Sequence, residues 1–202
     1  EPSVAATIFS DGIEAARQYA AALARDGDTL GLLGPRELPK LWSRHILNSA
    51  VVADLIAPGQ KVADVGSGAG LPGIPMAIAK PDCKFVLIEP MERRSEWLKQ
   101  VIDELELKNV SVLRARAEEA PRGSFDVVTA RAVSALDKLL RICAPLLVPG
   151  GQLLALKGSK AEAEIAAAEK LRKKLKIASF ELITVGGQVL AEPTSVVRTR
   201  LV

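Results

Sequence analysis

Asp64-Val65-Gly66-Ser67-Gly68-Ala69-Gly70-Leu71-Pro72-Gly73-Ile74-Pro75 is the stretch that decides the fold. It follows Lys61-Val62-Ala63-Asp64-Val65, a short apolar run that reads as a strand, and it leads into a helix over residues 74–79. A glycine-rich turn between strand and helix is where a doubly wound sheet receives its ligand. Glycine belongs there because a ligand must approach the backbone and the turn needs torsions that side chains disfavour.

The alternation continues on the C-terminal side. Strands are predicted over 84–88, 110–113, 125–129 and 152–156. A helix carries Leu98, Val101, Ile102 and Leu105 at i, i+3, i+4 and i+7. Further helices are predicted over 136–147 and 160–176, and Pro149-Gly150-Gly151 reads as a tight turn. The β-rich stretches 180–185 and 195–201 have no helix between them and should pair as an antiparallel hairpin at one edge. Ahead of Lys61 the chain reads as helical, between Ser10 and Asp26 and again over 39–56, with Pro58-Gly59 closing the segment. The expected division is a helical extension over 1–58, packed on a core domain over 59–202. Near-continuous apolar strands joined by helices imply a mostly parallel sheet covered on both faces.

Composition narrows the function classes. The chain has 202 residues, 49% of them apolar, and a net charge of +3, which excludes disorder and leaves the partner open. Its two cysteines, Cys83 and Cys143, and single histidine, His45, make neither a disulfide framework nor a zinc site, and no metal is expected. No run approaches the ~18 apolar residues that span a bilayer. No leader is visible at the start, so a cytoplasmic protein is expected, although the chain begins at Glu1 and a natural N-terminus ahead of it is expected too.

Two ligand readings compete at the loop. Gly68-Ala69-Gly70-Leu71-Pro72-Gly73 matches the dinucleotide fingerprint G-x-G-x-x-G. However, Pro72 and Pro75 remove N–H donors that a pyrophosphate would use, and little chain remains for a substrate domain. The longer pattern, Asp64 followed by Gly66, Gly68 and Gly70, resembles the S-adenosyl-L-methionine loop of class I methyltransferases. Glu89 closes the second strand, where a carboxylate can accept both ribose hydroxyls. Ala117-Glu118-Glu119 follows the third strand, where that fold contacts the adenine edge.

The end of the fourth strand bears on the methyl acceptor. Thr129-Ala130-Arg131-Ala132 lacks the Asn/Asp-Pro-Pro-aromatic pattern of enzymes that methylate exocyclic amines, and neither cysteine sits where a carbon-methylating nucleophile belongs. A ring nitrogen with its own lone pair, such as guanine N7, needs neither device. Beyond about residue 38 the chain resembles the RsmG (GidB) family, guanine-N7 methyltransferases of bacterial 16S ribosomal RNA. The resemblance is carried by Arg44-His45-Ile46-Leu47-Asn48-Ser49, the full glycine–proline string, Ala130-Arg131-Ala132 and Ala155-Leu156-Lys157-Gly158. Asn48 stands where that family usually has Asp. The resemblance implies a Rossmann-like α/β fold and S-adenosyl-L-methionine as cofactor. It implies that Gly66 and Leu71 line the cofactor site, that Ala117 and Glu118 flank the adenine, and that Arg131 binds beside the cofactor, where the target base enters. The implied substrate is a guanine in the decoding-region hairpin, met on 16S rRNA or on the small ribosomal subunit.

An unpaired buried arginine is costly, so Arg131 should meet a carboxylate, the cofactor or a phosphate. Arg44, His45, Lys157, Arg198 and Arg200 are the RNA-binding candidates. Lys170, Arg172, Lys173, Lys174 and Lys176 read instead as a solvated helix face, diluted by acids upstream. Residues 1–30 hold two basic and five acidic residues, and residues 157–202 hold nine basic and five acidic ones. The small net charge therefore conceals an acidic beginning and a basic end, and one basic face late in the sheet is expected. A small-molecule methyltransferase and an RNA-binding module with a vestigial site are the competing readings. A monomer is the expected state.

Overall fold

Seven strands form one mixed sheet in the computed structural model, which describes residues 1–202. They are β1 (Lys61–Val65), β2 (Lys84–Ile88), β3 (Val110–Leu113), β4 (Phe125–Arg131), β5 (Leu147–Leu156), β6 (Ile177–Val185) and β7 (Thr194–Leu201). The order across the sheet is β3-β2-β1-β4-β5-β7-β6. Strands β1 to β5 run parallel, and β7 lies antiparallel between β5 and β6. The chain winds outward from β1 to β3 and then returns to β4 on the other side of β1. This reversal opens a crevice at the carboxyl ends of β1 and β4. The hairpin expected from the last two β-rich stretches is present at one edge.

Seven α-helices accompany the sheet: α1 (Ala5–Phe9), α2 (Ile13–Asp26), α3 (Asn48–Ala50), α4 (Gly73–Ala79), α5 (Glu92–Glu104), α6 (Leu136–Cys143) and α7 (Ala161–Ala168). The pleat sends neighbouring residues of a strand to opposite faces. Val62 accordingly joins an apolar cluster with Tyr19, Leu23, Ile46, Ile74 and Leu98, which covers the face bearing α1 to α5. Ala63 joins the other cluster, with Val128, Leu139, Leu140, Leu153 and Val197, under α6 and α7. The first 58 residues thus share a core with the sheet. They are docked by polar contacts as well: Trp97 Nε1 donates to Asp26 Oδ2 at 2.8 Å, and Arg93 donates to the Thr29 carbonyl at 2.8 Å.

Three expectations change. The regular helix read over 39–56 is a succession of shapes: a 3-10 turn over Pro35–Lys40, a π-helical turn over Leu41–Leu47, the short α3, and a 3-10 turn over Val51–Leu55. Pro39 has no N–H to give an α-helical ladder, and π-turns recur at functional sites. The basic run after α7 is not the face of an α-helix: only Lys170 lies in a helical turn, the 3-10 turn Glu169–Leu171. The α-helix ends at Ala168, and Arg172 donates to the Ala178 carbonyl while lying over the Phe180 ring. Finally, Pro149-Gly150-Gly151 lies inside β5 as a bulge. Phe125 pairs with Leu147 and Val127 with Gln152, so the intervening residues loop out.

Candidate active site

The glycine loop springs from the end of β1. Gly66, Gly68 and Gly70 have φ of +68°, +57° and +86°, the left-handed region that L side chains disfavour. Asp64 lies wholly buried beneath the loop and ties its two ends together: Oδ2 accepts from Ser67 Oγ at 2.6 Å and from the Gly73 N–H at 3.0 Å. Burial pushes this carboxyl up to about 7, against the two hydrogen bonds, and the Glu89 charge adds to the rise. Asp64 Oδ1 has no partner in the protein. Gly73 permits the close approach, since a Cβ there would stand 2.6 Å from Asp64 Oδ2. A residue not anticipated from sequence supports the loop from below. Tyr19 on α2, fully buried, donates from its hydroxyl to the Ala69 carbonyl at 2.7 Å.

Glu89 stands at the end of the neighbouring strand and is only 3% exposed. Oε2 accepts from the Gly68 N–H at 2.9 Å and Oε1 from the Met91 N–H at 3.0 Å. Each oxygen keeps a further lone pair for a ligand hydroxyl. A Cβ on Gly68 would meet nothing closer than the Gly66 carbonyl at 3.8 Å. The backbone here borders open space, a cradle that a side chain would fill. Two carboxylate oxygens with lone pairs to spare, beside open backbone, fit the ribose hydroxyls of a nucleoside. Ala117 and Glu118 form a 3-10 turn after β3, with Ala117 buried and Glu118 exposed. Leu71 packs into the core.

Beyond β4 lies a cleft of about 840 Å³, lined by Arg44, His45, Asn48, Arg131 and Lys157 among others. Arg131, at the end of β4, points its Nη2 at His45 Nδ1, 2.6 Å away, and Nη1 lies 3.4 Å from Ser49 Oγ. His45 Nε2 in turn lies 2.8 Å from Glu37 Oε2. The half-buried arginine therefore meets a carboxylate only through an imidazole. Burial pulls the guanidinium below its ordinary value, which Tyr19 and Glu37 oppose. Burial likewise lowers the His45 imidazole, with the Glu37 hydrogen bond opposing and the Arg131 charge adding. Asn48 Oδ1 is buried without a partner, and the Asn48 carbonyl accepts from Thr194 Oγ1 at 2.8 Å.

The other basic candidates separate in space. Lys157 is committed within the protein: Nζ lies 2.8 Å from Glu164 Oε2 and 2.6 Å from the Ser134 carbonyl, with its side chain 12% exposed. Glu164 Oε2 also accepts from the Leu136 N–H at 3.0 Å. Together they clamp the turn between β4 and α6. That turn carries Ala132 at φ +53° and rests Val133 against Gly66, whose Cβ would come 2.9 Å from Val133 Cγ2. Arg44 lies at the rim of the cleft, half exposed, with only a 4.0 Å approach to Glu192. Arg198 and Arg200 do not join this group, which corrects the expectation of one basic face. Because β7 runs antiparallel to β5, Arg198 pairs with Leu154 and Arg200 with Gln152, toward the opposite end of the sheet. Arg198 is bonded to Glu181, and Arg200 lines a small hollow with Gln60 and Asp126. Glu37, Val133 and Glu164 had no sequence signal, and Ser49 had only its place at the end of the Arg44–Ser49 segment. Tyr19 had a faint one, as the only tyrosine, set on a helix with an apolar face.

The profile of the family described as rRNA small subunit methyltransferase G matches residues 12–190. The chain is 52% identical over 202 residues to the ribosomal RNA small subunit methyltransferase G of Clavibacter michiganensis subsp. michiganensis, covering all of this chain and 95% of that one. It is 55% identical over 199 residues to the protein of the same name from Leifsonia xyli subsp. xyli, covering 98% and 95%. Among solved structures it resembles M. jannaschii TYW2 in complex with AdoMet, with a TM-score of 0.63 at 20% identity over 79% of this chain and 77% of that one. It also resembles the tRNA (m1A58) methyltransferase TrmI of Aquifex aeolicus, with a TM-score of 0.58 at 17% identity over 76% and 68%. These two likenesses establish the fold.

Proposed function

The chain belongs to the rRNA small subunit methyltransferase G family, and from that membership we propose that it methylates N7 of one guanine in the decoding-region hairpin of bacterial 16S rRNA. It is a methyltransferase dependent on S-adenosyl-L-methionine. The carrying observation is the juxtaposition, at the β1/β4 crevice, of the open glycine cradle and the cleft beside Arg131. Gly66, Gly68 and Gly70 offer backbone to the cofactor, Glu89 takes its ribose hydroxyls, Ala117 and Glu118 border its adenine, and Asp64 holds the loop in shape. When bound, the cofactor supplies an electrophilic methyl group. N7 of guanine has a lone pair and no hydrogen, so the protein needs no general base, only alignment of the acceptor. Arg131 supplies it by donating to the base from beside the cradle, and Arg44 at the cleft rim takes backbone phosphate. One chain builds the whole site, which supports action as a monomer, and no cluster of three His, Cys, Asp or Glu side chains is present that could hold a metal ion. The substrate implies a cytoplasmic location, and no helix is long and apolar enough to cross a membrane.

The test is cleavage chemistry specific for N7-methylguanosine, applied to 16S rRNA and to small subunits treated with enzyme and S-adenosyl-L-methionine. A single new cleavage in the decoding-region hairpin is the expected result. Methyl transfer with no cleavage there would point to another atom or another acceptor.

A further inference from the structure

Two cations and one acid converge on His45 from different elements. Arg131 reaches it from β4 and Glu37 from the turn ahead of it, while Arg44 adjoins it in its own π-helical turn. Tyr19 of α2 bears on the Arg131 charge as well. An arginine side chain has donors and no acceptor. The 2.6 Å contact between Arg131 Nη2 and His45 Nδ1 therefore requires a lone pair on Nδ1. The proton must then sit on Nε2, which donates to Glu37 Oε2 at 2.8 Å. With the Arg131 contact as a hydrogen bond, the ring is the neutral Nε2–H tautomer. His45 is 8% exposed, which leaves it little surface to offer RNA directly.

We propose that His45 is a positioning residue: its neutral Nε2–H tautomer, anchored on Glu37, holds the Arg131 guanidinium so that the remaining N–H groups face the incoming guanine. This rests on the reading of the cleft as the guanine site. It replaces direct RNA contact as the role of His45. Protonation would put an N–H on Nδ1, facing the guanidinium, and the hold on Arg131 would be lost. The imidazole is lowered by burial and by Arg131, so it stays neutral through neutral pH and the loss falls on the acid side. Misplacing a reacting group by about an ångström can cost on the order of 10²-fold in rate.

Steady-state methylation of small subunits and of 16S rRNA by wild type, His45→Ala and His45→Asn tests the proposal. The Asn carboxamide oxygen can take the place of Nδ1 and accept from Arg131, and it does not titrate. His45→Ala should lose on the order of 10²-fold in kcat with KM for RNA little changed. His45→Asn should recover most of that loss, and the acid limb of the wild-type pH–kcat profile should disappear. A loss confined to KM would make His45 an RNA contact and overturn the proposal. So would an acid limb unchanged in His45→Asn. The chain has one histidine, so the ¹⁵N imidazole spectrum of untagged protein gives a readout independent of turnover. It should show a protonated Nε2 at pH 7 and titrate below 6.5, and Arg131→Gln should move that titration upward. Protonation at Nδ1, or a titration that Arg131→Gln leaves unmoved, would refute the pairing. If wild type makes no N7-methylguanosine, the reading of the cleft fails while the spectrum still decides the His45–Arg131 pairing.

Discussion

At the scale of single residues, the glycines of the loop do different work and should fail differently. Gly68 is held at φ +57° beside open space, so Gly68→Val adds backbone strain of about 1–2 kcal/mol and fills the cradle. Calorimetry with S-adenosylhomocysteine should show affinity down by about two orders of magnitude, with Tm lowered by only a few degrees. Gly73→Ala should reverse the balance. Its Cβ would stand 2.5 Å from Leu87 Cδ2, so the core must shift, at about 1–3 kcal/mol in stability. Asp64 offers a pH test. Its carboxyl is raised from 3.8 to about 7 in the folded protein, so the folded state binds the extra proton between those values. Stability must fall as pH rises through that window, with a limiting slope of about 1.4 kcal/mol per unit. Thermal melts of wild type from pH 4 to 8 should lose this component relative to Asp64→Asn. Parallel curves for the two proteins would show that Asp64 is already ionised across that range.

At the scale of elements, the turn between β4 and α6 connects the two halves of the site. One end of it is Arg131, its middle covers Gly66 with Val133, and the Lys157–Glu164 pair pins its far end to β5 and α7. Lys157→Met leaves the Glu164 carboxylate short of a cation, although that group keeps the Leu136 N–H. Partial exposure moderates the cost, to about 1–3 kcal/mol. Hydrogen exchange should quicken at Ser134, Ala135 and Leu136 and leave β1 and β2 unchanged, with kcat reduced. Uniform acceleration across the sheet would mean that Lys157 supports the fold at large and not this turn. The helical extension braces the glycine loop through the Tyr19 hydroxyl, which donates to the Ala69 carbonyl. Tyr19→Phe should therefore cost about 1 kcal/mol and weaken S-adenosylhomocysteine binding several-fold. Unchanged affinity would confine Tyr19 to the core.

At the scale of the whole molecule, a net charge of +3 is divided by the sheet into distant groups. Arg44 stands at the rim of the cleft, whereas Arg200 lies four residues of β7 away from the level of Leu156, roughly 13 Å along the strand. RNA affinity should fall steeply with salt, and Arg44→Ala should lower both the affinity and its salt slope by about one ion. Arg200→Ala should alter neither. Equal effects of the two substitutions on the salt slope would place RNA across both edges of the sheet. The sequence by itself determined the alternation of strands and helices, the edge hairpin and the glycine loop with Glu89. Side-chain periodicity and backbone torsion are local properties, written within a few residues of where they act. Only the tertiary structure decided which charges meet. His45 and Arg131 are 86 positions apart, and their contact depends on how the extension packs over β4. The antiparallel run of β7 carried Arg198 and Arg200 away from the cleft, and burial closed Lys157 onto Glu164. Strand direction and burial arise from the packing of remote segments, so identical local sequence can put an arginine on the substrate or on the far side of the sheet.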